Sequence, residues 1–260
     1  MAARTIWKGV IRVGDSVEVP VRLYSAVQDR SVRFRLLHAT DHTPVKQRMV
    51  HGESGEPVAE AHKGLEVEEG RFVVLTPEDL ASVEPPSDRS IELVAVVARE
   101  RVDAPWFDRP YRLGPDGSED DYFALAAALA EEDRLAIARW TMRKRDYVGA
   151  LYADGPWLTV STLHRLGEVI SRDALGPSPR VSVDPMEARL ADQLVEALSV
   201  DRLDLGEFRD EHRERVLELI EAKAAGKELA LRPPVRKAEV VSLADSLRAS
   251  LAAAKERRVA

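Results

Sequence analysis

Four groupings of residues have types and spacings that could do chemistry. Asp88 and Glu92 are placed like the carboxylate pair of a metal-dependent nuclease, yet no lysine follows Glu92 where that chemistry needs one. His38 and His42 have the i,i+4 spacing of a helical metal site, but the sequence around them reads as the end of a strand and offers no third ligand. The acidic runs Glu119-Asp120-Asp121 and Glu131-Glu132-Asp133 bracket one Ala/Leu-rich stretch, and the first is accounted for by a helix dipole. The fourth grouping is cationic: Arg139, Arg143, Lys144 and Arg145 fall within seven residues. No phosphate loop, dinucleotide fingerprint or nucleophile elbow occurs. There is no cysteine, which removes disulfides, thiolate metal sites and cysteine nucleophiles. The chemistry left is that of a polyanion-binding surface, with no catalytic residue, metal or cofactor expected.

Charge is segregated along the 260 residues, whose net charge is -7. Residues 1–50 carry nine Lys/Arg against four Asp/Glu, and residues 134–150 carry five cations against Asp146 alone. Between them, residues 65–133 carry six cations and eighteen anions. Because salt confines a charge's influence to about 10 Å, an acidic chain can still hold a local basic channel. The cations placed on that channel are Lys8, Arg33, Arg35, Lys46, Arg48, Arg139, Arg143, Lys144 and Arg145. Contacts from such residues to phosphates are salt-sensitive and carry no sequence information. Aromatic residues make up 5% of the chain, and none interleaves with the cations of residues 39–63. That favours duplex backbone over single strands, which need rings to stack bases.

The elements that must position these cations are mostly strands. Residues 6–24 alternate with period two across Gly14-Asp15-Ser16, a strand pair in which Pro20 marks an edge or a bulge. Residues 31–38 predict a third strand with Phe34 and Leu36 inward and Arg33 and Arg35 outward. Residues 39–60 are poor in large apolar side chains and predict a protruding arm with a short strand at 45–50. Residues 70–75 read as a strand, and Thr76-Pro77-Glu78-Asp79 as the capping box of a short helix. Residues 90–99 predict a central strand, 105–113 an irregular aromatic segment, and 118–133 a helix. Residues 134–142 and 147–153 form a hairpin whose tip is the cationic knot, with Trp140 in the core, and 157–164 add a strand.

After a Gly/Pro/Ser-rich connector at 166–183 the apolar period becomes 3.6. Helices are predicted from Asp184-Pro185 and near 207–225, then a linker at 232–237. A last helix at 242–258 has Leu243, Leu247 and Leu251 on one stripe, which must dock on its own chain or on a partner. The opening residues MAARTIWKGVIRVGDS contain no apolar signal core, and no run of about 18 apolar residues offers a membrane span, so a cytoplasmic, nucleoid-associated protein is expected.

The chain resembles the bacterial Ku family, the DNA-end-binding proteins of non-homologous end joining. The resemblance rests on Trp7-Lys8-Gly9-x-Ile11-x-x-Gly14, on VEVPVRLYSA at 17–26, Leu37-His38, KGLE at 63–66, GRFVVLTPEDL at 70–80, FDRPYRL at 107–113, AIARW at 136–140 and LIEAKAAGKE at 219–228. It implies an α+β fold: a β-barrel core at residues 1–165 with a DNA-encircling arm at about 39–63, an α-helical part at 166–230, and a linker with a minimal C-terminal helix at 231–260. It also implies a ring-shaped homodimer threading double-stranded DNA ends. The last helix would recruit the multifunctional ATP-dependent DNA ligase, ligase D, through Leu243, Leu247, Arg248 and Leu251. The arm is poorer in cations than in many family members, since His51, Gly52, Glu53 and Glu56 stand in it. Two other readings stay open from the residues: a protein-only adaptor acting through the C-terminal helix, and a nuclease using Asp88 and Glu92.

Overall fold

The structure is a computed structural model describing residues 4–86, 88–176, 184–226 and 243–259, with side chains in the last helix described for 244–253. It contains two compact units. One comprises the residues up to Arg30 and those from Arg35 to Ala174; the other comprises Ser31–Phe34 and the helices beyond Leu175.

In the first unit, β1 (Thr5–Val13) and β2 (Val17–Ser25) pair across a turn at Gly14, whose φ of 60° suits glycine. Val19, Val21 and Leu23 are buried while Glu18 is exposed, as period-two alternation requires. β3 (Lys63–Glu68) and β4 (Arg71–Leu75) form a separate two-stranded ribbon. It leads into α1 (Pro77–Ser82), where Thr76 and Asp79 complete the expected capping box. β5 (Ser90–Ala98), β6 (Phe107–Pro115), β7 (Arg134–Met142), β8 (Arg145–Asp154) and β9 (Trp157–Leu163) join β1 and β2 in a closed barrel of order β1-β2-β6-β9-β8-β7-β5. All its pairings are antiparallel except β1 with β5.

The core combines inward strand residues such as Ile11, Ile91, Leu113, Leu151 and Val160 with one face of α2 (Glu119–Ala130). Tyr122 of α2 is fully buried, so its hydroxyl needs partners. It donates to the Leu113 carbonyl at 2.6 Å and accepts from the Leu158 amide at 2.8 Å, fastening the helix to β6 and β9.

Several expectations are corrected. Residues 31–38 are not a strand; Leu37 only bridges Pro44, and Phe34 is 74% exposed. Alternation without a neighbouring strand to pair with does not make one. The strand expected at 45–50 is likewise reduced to a bridge between Val50 and Pro57. Of residues 105–113, expected to be irregular, all from Phe107 on belong to β6; Pro110 fits because the register shifts between Phe107 and Pro110. Pro20 lies in a strand paired on both sides. Its carbonyl accepts from the Asp116 amide at 3.0 Å, so its nitrogen faces the same side, where β6 has ended and no donor is needed. β5 is flanked by β1 and β7 as expected of a central strand, but past its register shift at Leu93/Ala95 the side chains of Val94 and Val96 are about half exposed.

The second unit contains α3 (Pro185–Leu198), α4 (Glu211–Ala224) and α5 (Leu243–Val259). Asp184 caps α3 by accepting from the amides of Met186 and Glu187. α4 starts later than the apolar pattern predicts because a 3₁₀ turn holds Leu205–Glu207 and Asp210 supplies the cap. α5 packs on α3. The linker expected at 232–237 and the cap expected at Ser242 lie outside the described residues.

Candidate nucleic-acid interface

The hairpin tip is built from the barrel outward. β7 and β8 pair from Ala136↔Leu151 to Met142↔Arg145, leaving Arg143 and Lys144 as a two-residue loop. Both are left-handed, with φ of 53° and 65°, the signature of a type I′ turn. Such turns favour Asn-Gly; a side-chain-bearing residue held left-handed costs about 1–2 kcal/mol. The turn is therefore a place where cations are kept against backbone preference. Its root is rigid. Trp140 is buried and stacks on its cross-strand partner Tyr147 with centroids 5.5 Å apart. The Trp140 ring lies against Gly149, where an added Cβ would sit 2.7 Å from it and 2.6 Å from the Ser161 carbonyl. Thr141 donates to the Asp146 carboxylate at 2.8 Å, and Arg165 donates to the Asp146 carbonyl at 2.9 Å.

At this tip Arg143, Lys144 and Arg145 are all exposed. Among the described residues Arg143 and Arg145 pair with no carboxylate, and Lys144 reaches Glu84 at 2.8 Å. Arg35, just before the arm, and Lys46 and Arg48 within it stand exposed, again with no ion pair among the described residues. Arg33 is exposed too, in the segment Ser31–Phe34. Lys8 and Arg139 are in a different state. Lys8 lies 3.1 Å from Asp116, which also takes two bonds from Arg22. Arg139 donates to Glu92 at 2.7 Å and stands directly opposite it in the β5–β7 register. Each is already partly neutralised by a carboxylate that a phosphate would have to share or displace.

The carboxylates considered for metal chemistry are engaged. The Arg139 hydrogen bond and charge hold the Glu92 carboxyl below its usual range and raise the Arg139 guanidinium. Asp88 accepts from the Ser90 hydroxyl and amide and lies 3.4 Å from Arg12, and these bonds lower its pKa. His38 meets Asp41 at 2.9 Å, and no group of three or more ligating side chains able to hold a metal ion occurs among the described residues. Arg165, Glu84 and Asp116 escaped the sequence reading. Only the closed strand order brings them to the cations they brace or neutralise.

Of the residues expected to bind a partner, Leu251 is buried and Leu247 half-buried on α5, the helix that packs against α3. Arg248 is exposed and pairs with Asp245 at 3.0 Å. The Leu243 side chain lies outside the described set. The ribbon is unusually bare: Leu65, Val67, Phe72, Val73 and Val74 are all exposed, on both of its faces.

Comparison with known proteins places these features in a family. Residues 13–190 match the family model of the Ku70/Ku80 beta-barrel domain. A protein of Geotalea uraniireducens, named non-homologous end joining protein Ku 2, is 38% identical over 238 residues, which cover 90% of this chain and 91% of the relative. Non-homologous end joining protein Ku of Koribacter versatilis is 35% identical over 98% of this chain and 88% of its own length. That of Archaeoglobus fulgidus is 34% identical over 97% of this chain and its own full length.

Proposed function

The chain belongs to the Ku family, and on that premise we propose that it binds the ends of double-stranded DNA without reading their sequence. It does so as a ring-shaped homodimer in non-homologous end joining, protecting and bridging ends, in the cytoplasm at the nucleoid. The observation that carries this reading is the β7–β8 tip. Two cations occupy left-handed positions that favour Asn-Gly, Arg143 and Arg145 pair with no carboxylate among the described residues, and the strands beneath are locked into a closed barrel. Together with Arg35 and with Lys46 and Arg48 of the arm, these residues are the proposed phosphate contacts; Arg33 and Lys144 are further candidates, and Lys8 and Arg139 are partly neutralised by their carboxylates.

The homodimer is supported by the β3–β4 ribbon. A two-stranded sheet is marginal in water, and apolar side chains exposed on both faces call for a cover that a second copy can provide. In a closed ring, loading is possible only where the duplex stops. The helices carry the proposed recruitment of the end-joining ligase, ligase D. With Leu247 and Leu251 turned inward on α5, the ligase contact falls to the exposed side of that helix, around Arg248.

The test is a gel shift with one DNA sequence in linear, hairpin-capped and covalently closed circular forms. Linear DNA is expected to be shifted, circular DNA not. Equal binding to circles would overturn the ring, and no shift with any form would leave the protein-only adaptor. Degradation of the DNA that requires Mg²⁺ and is lost in Glu92→Ala would instead establish the nuclease.

A further inference from the structure

On the outer wall of the barrel, β2, β6 and the β8–β9 turn enclose a cleft of about 520 Å³. Its sides are aromatic, Tyr24 on one strand and Trp157 on another, and its floor is Gly114-Pro115. Gly114 keeps that floor flat, since a Cβ there would come within 3.2 Å of the Tyr24 ring. Trp157 is 48% exposed although it is a large apolar group, and it continues into a second exposed ring, Phe123 of α2, at 5.8 Å in edge contact. None of this serves the cationic tip, and the barrel core is already complete without these exposed faces.

The unpaired charge beside the rings is negative. The cations present are each held: Arg112 by Asp154 and by the Thr159 hydroxyl, Arg22 and Lys8 by Asp116. Glu119, Asp120 and Asp121 add three more carboxylates, exposed and without an ion pair among the described residues. Glu119 and Asp120 lie four and three residues before Phe123, and so on the same side of α2 as its ring. The helix dipole accounts for the acids; it does not account for two exposed aromatic rings beside them.

We propose that this cleft is a docking site for an extended, basic, proline-containing segment of a partner protein. Flat aromatic walls accept proline rings and guanidinium planes, the latter through cation–π contact, best with tryptophan, and Glu119 and Asp120, on the side of α2 whose Phe123 ring touches Trp157, select a positive peptide over a negative one. The cations of the β7–β8 tip would stay free for DNA while this face holds a protein.

The test uses the full chain and three fluorescein-labelled decapeptides: one of alternating arginine and proline, one of alternating glutamate and proline, and one of glycine and serine. Fluorescence anisotropy is expected to report binding of the Arg/Pro peptide only. That binding should fall at least tenfold in Trp157→Ala and, separately, in the surface double variant Glu119→Lys/Asp120→Lys, while both variants shift linear DNA like the parent. Binding of the Glu/Pro peptide as tight as that of the Arg/Pro peptide, no binding of any peptide at millimolar concentration, or Arg/Pro binding unchanged in the Lys double variant would each overturn the proposal. The double variant changes exposed side chains only, so the test survives should Trp157→Ala misfold.

Discussion

Arg143 and Lys144 sit where a hairpin would be most comfortable with Asn-Gly. This sets up opposing demands on two residues. The double substitution Arg143→Asn/Lys144→Gly is expected to raise stability by about 1 kcal/mol, because it relieves the left-handed strain. It is also expected to weaken DNA binding, because it removes two cations. Thermal melts and gel shifts on the same preparation check both halves; a variant that binds DNA as well as the parent would remove the tip from the interface. Arg143→Ala/Arg145→Ala should in addition flatten the dependence of log affinity on log salt by about 0.9 for each phosphate left without its cation. Lys8→Ala and Arg139→Ala, whose side chains are already engaged, should change that slope less.

Among the elements, the turn between β6 and α2 is tied to β1 and β2 through Asp116, which receives Lys8 and Arg22. Hydrogen bonds from Arg22 and then Lys8 depress the Asp116 pKa. The folded chain therefore takes up that proton at a lower pH than the unfolded chain does. The stabilisation is complete well above the ordinary aspartate value of about 4 and is lost as pH falls through the lower folded value. The gap in melting temperature between parent and Asp116→Asn is expected to be largest at pH 7 and to narrow as pH falls below about 4; a gap that is as wide at pH 3 as at pH 7 would contradict the assignment. In the helical unit, Leu251→Ala should cost about 2–3 kcal/mol through reduced burial against α3, read as faster proteolysis of α5. Arg248→Ala should leave that protection intact and weaken only the proposed ligase recruitment.

For the molecule as a whole, the exposed ribbon makes the assembly state the decisive measurement. Phe72→Asp/Val74→Asp places two charges on one face of β3–β4. It is expected to shift the protein from dimer to monomer in light scattering and, with the ring opened, to abolish the preference for linear over circular DNA. A dimer that survives the substitution would place the self-association surface elsewhere.

How far the sequence carried depended on whether the forces at work were local. Period-two alternation in β1, β2, β7 and β8, the Thr76–Asp79 capping box and the Asp184-Pro185 helix start were legible because each is set by neighbours in the chain. So was the cationic hairpin tip, down to the inward Trp140. Residues 31–38 and 105–113 were misread in opposite directions for one reason. A strand exists when another strand accepts its hydrogen bonds, and only barrel closure assigns that neighbour: β2 and β9 for the Pro110 segment, none for Phe34. Closure also divided the cations. Lys8, Arg139 and Arg143 look alike along the chain, but the first two pair with acids brought from 108 and 47 residues away, Asp116 and Glu92, while the third is lifted clear on a turn. Types and spacing located the positive charge; the three-dimensional register decided which of it is paired with a carboxylate among the described residues.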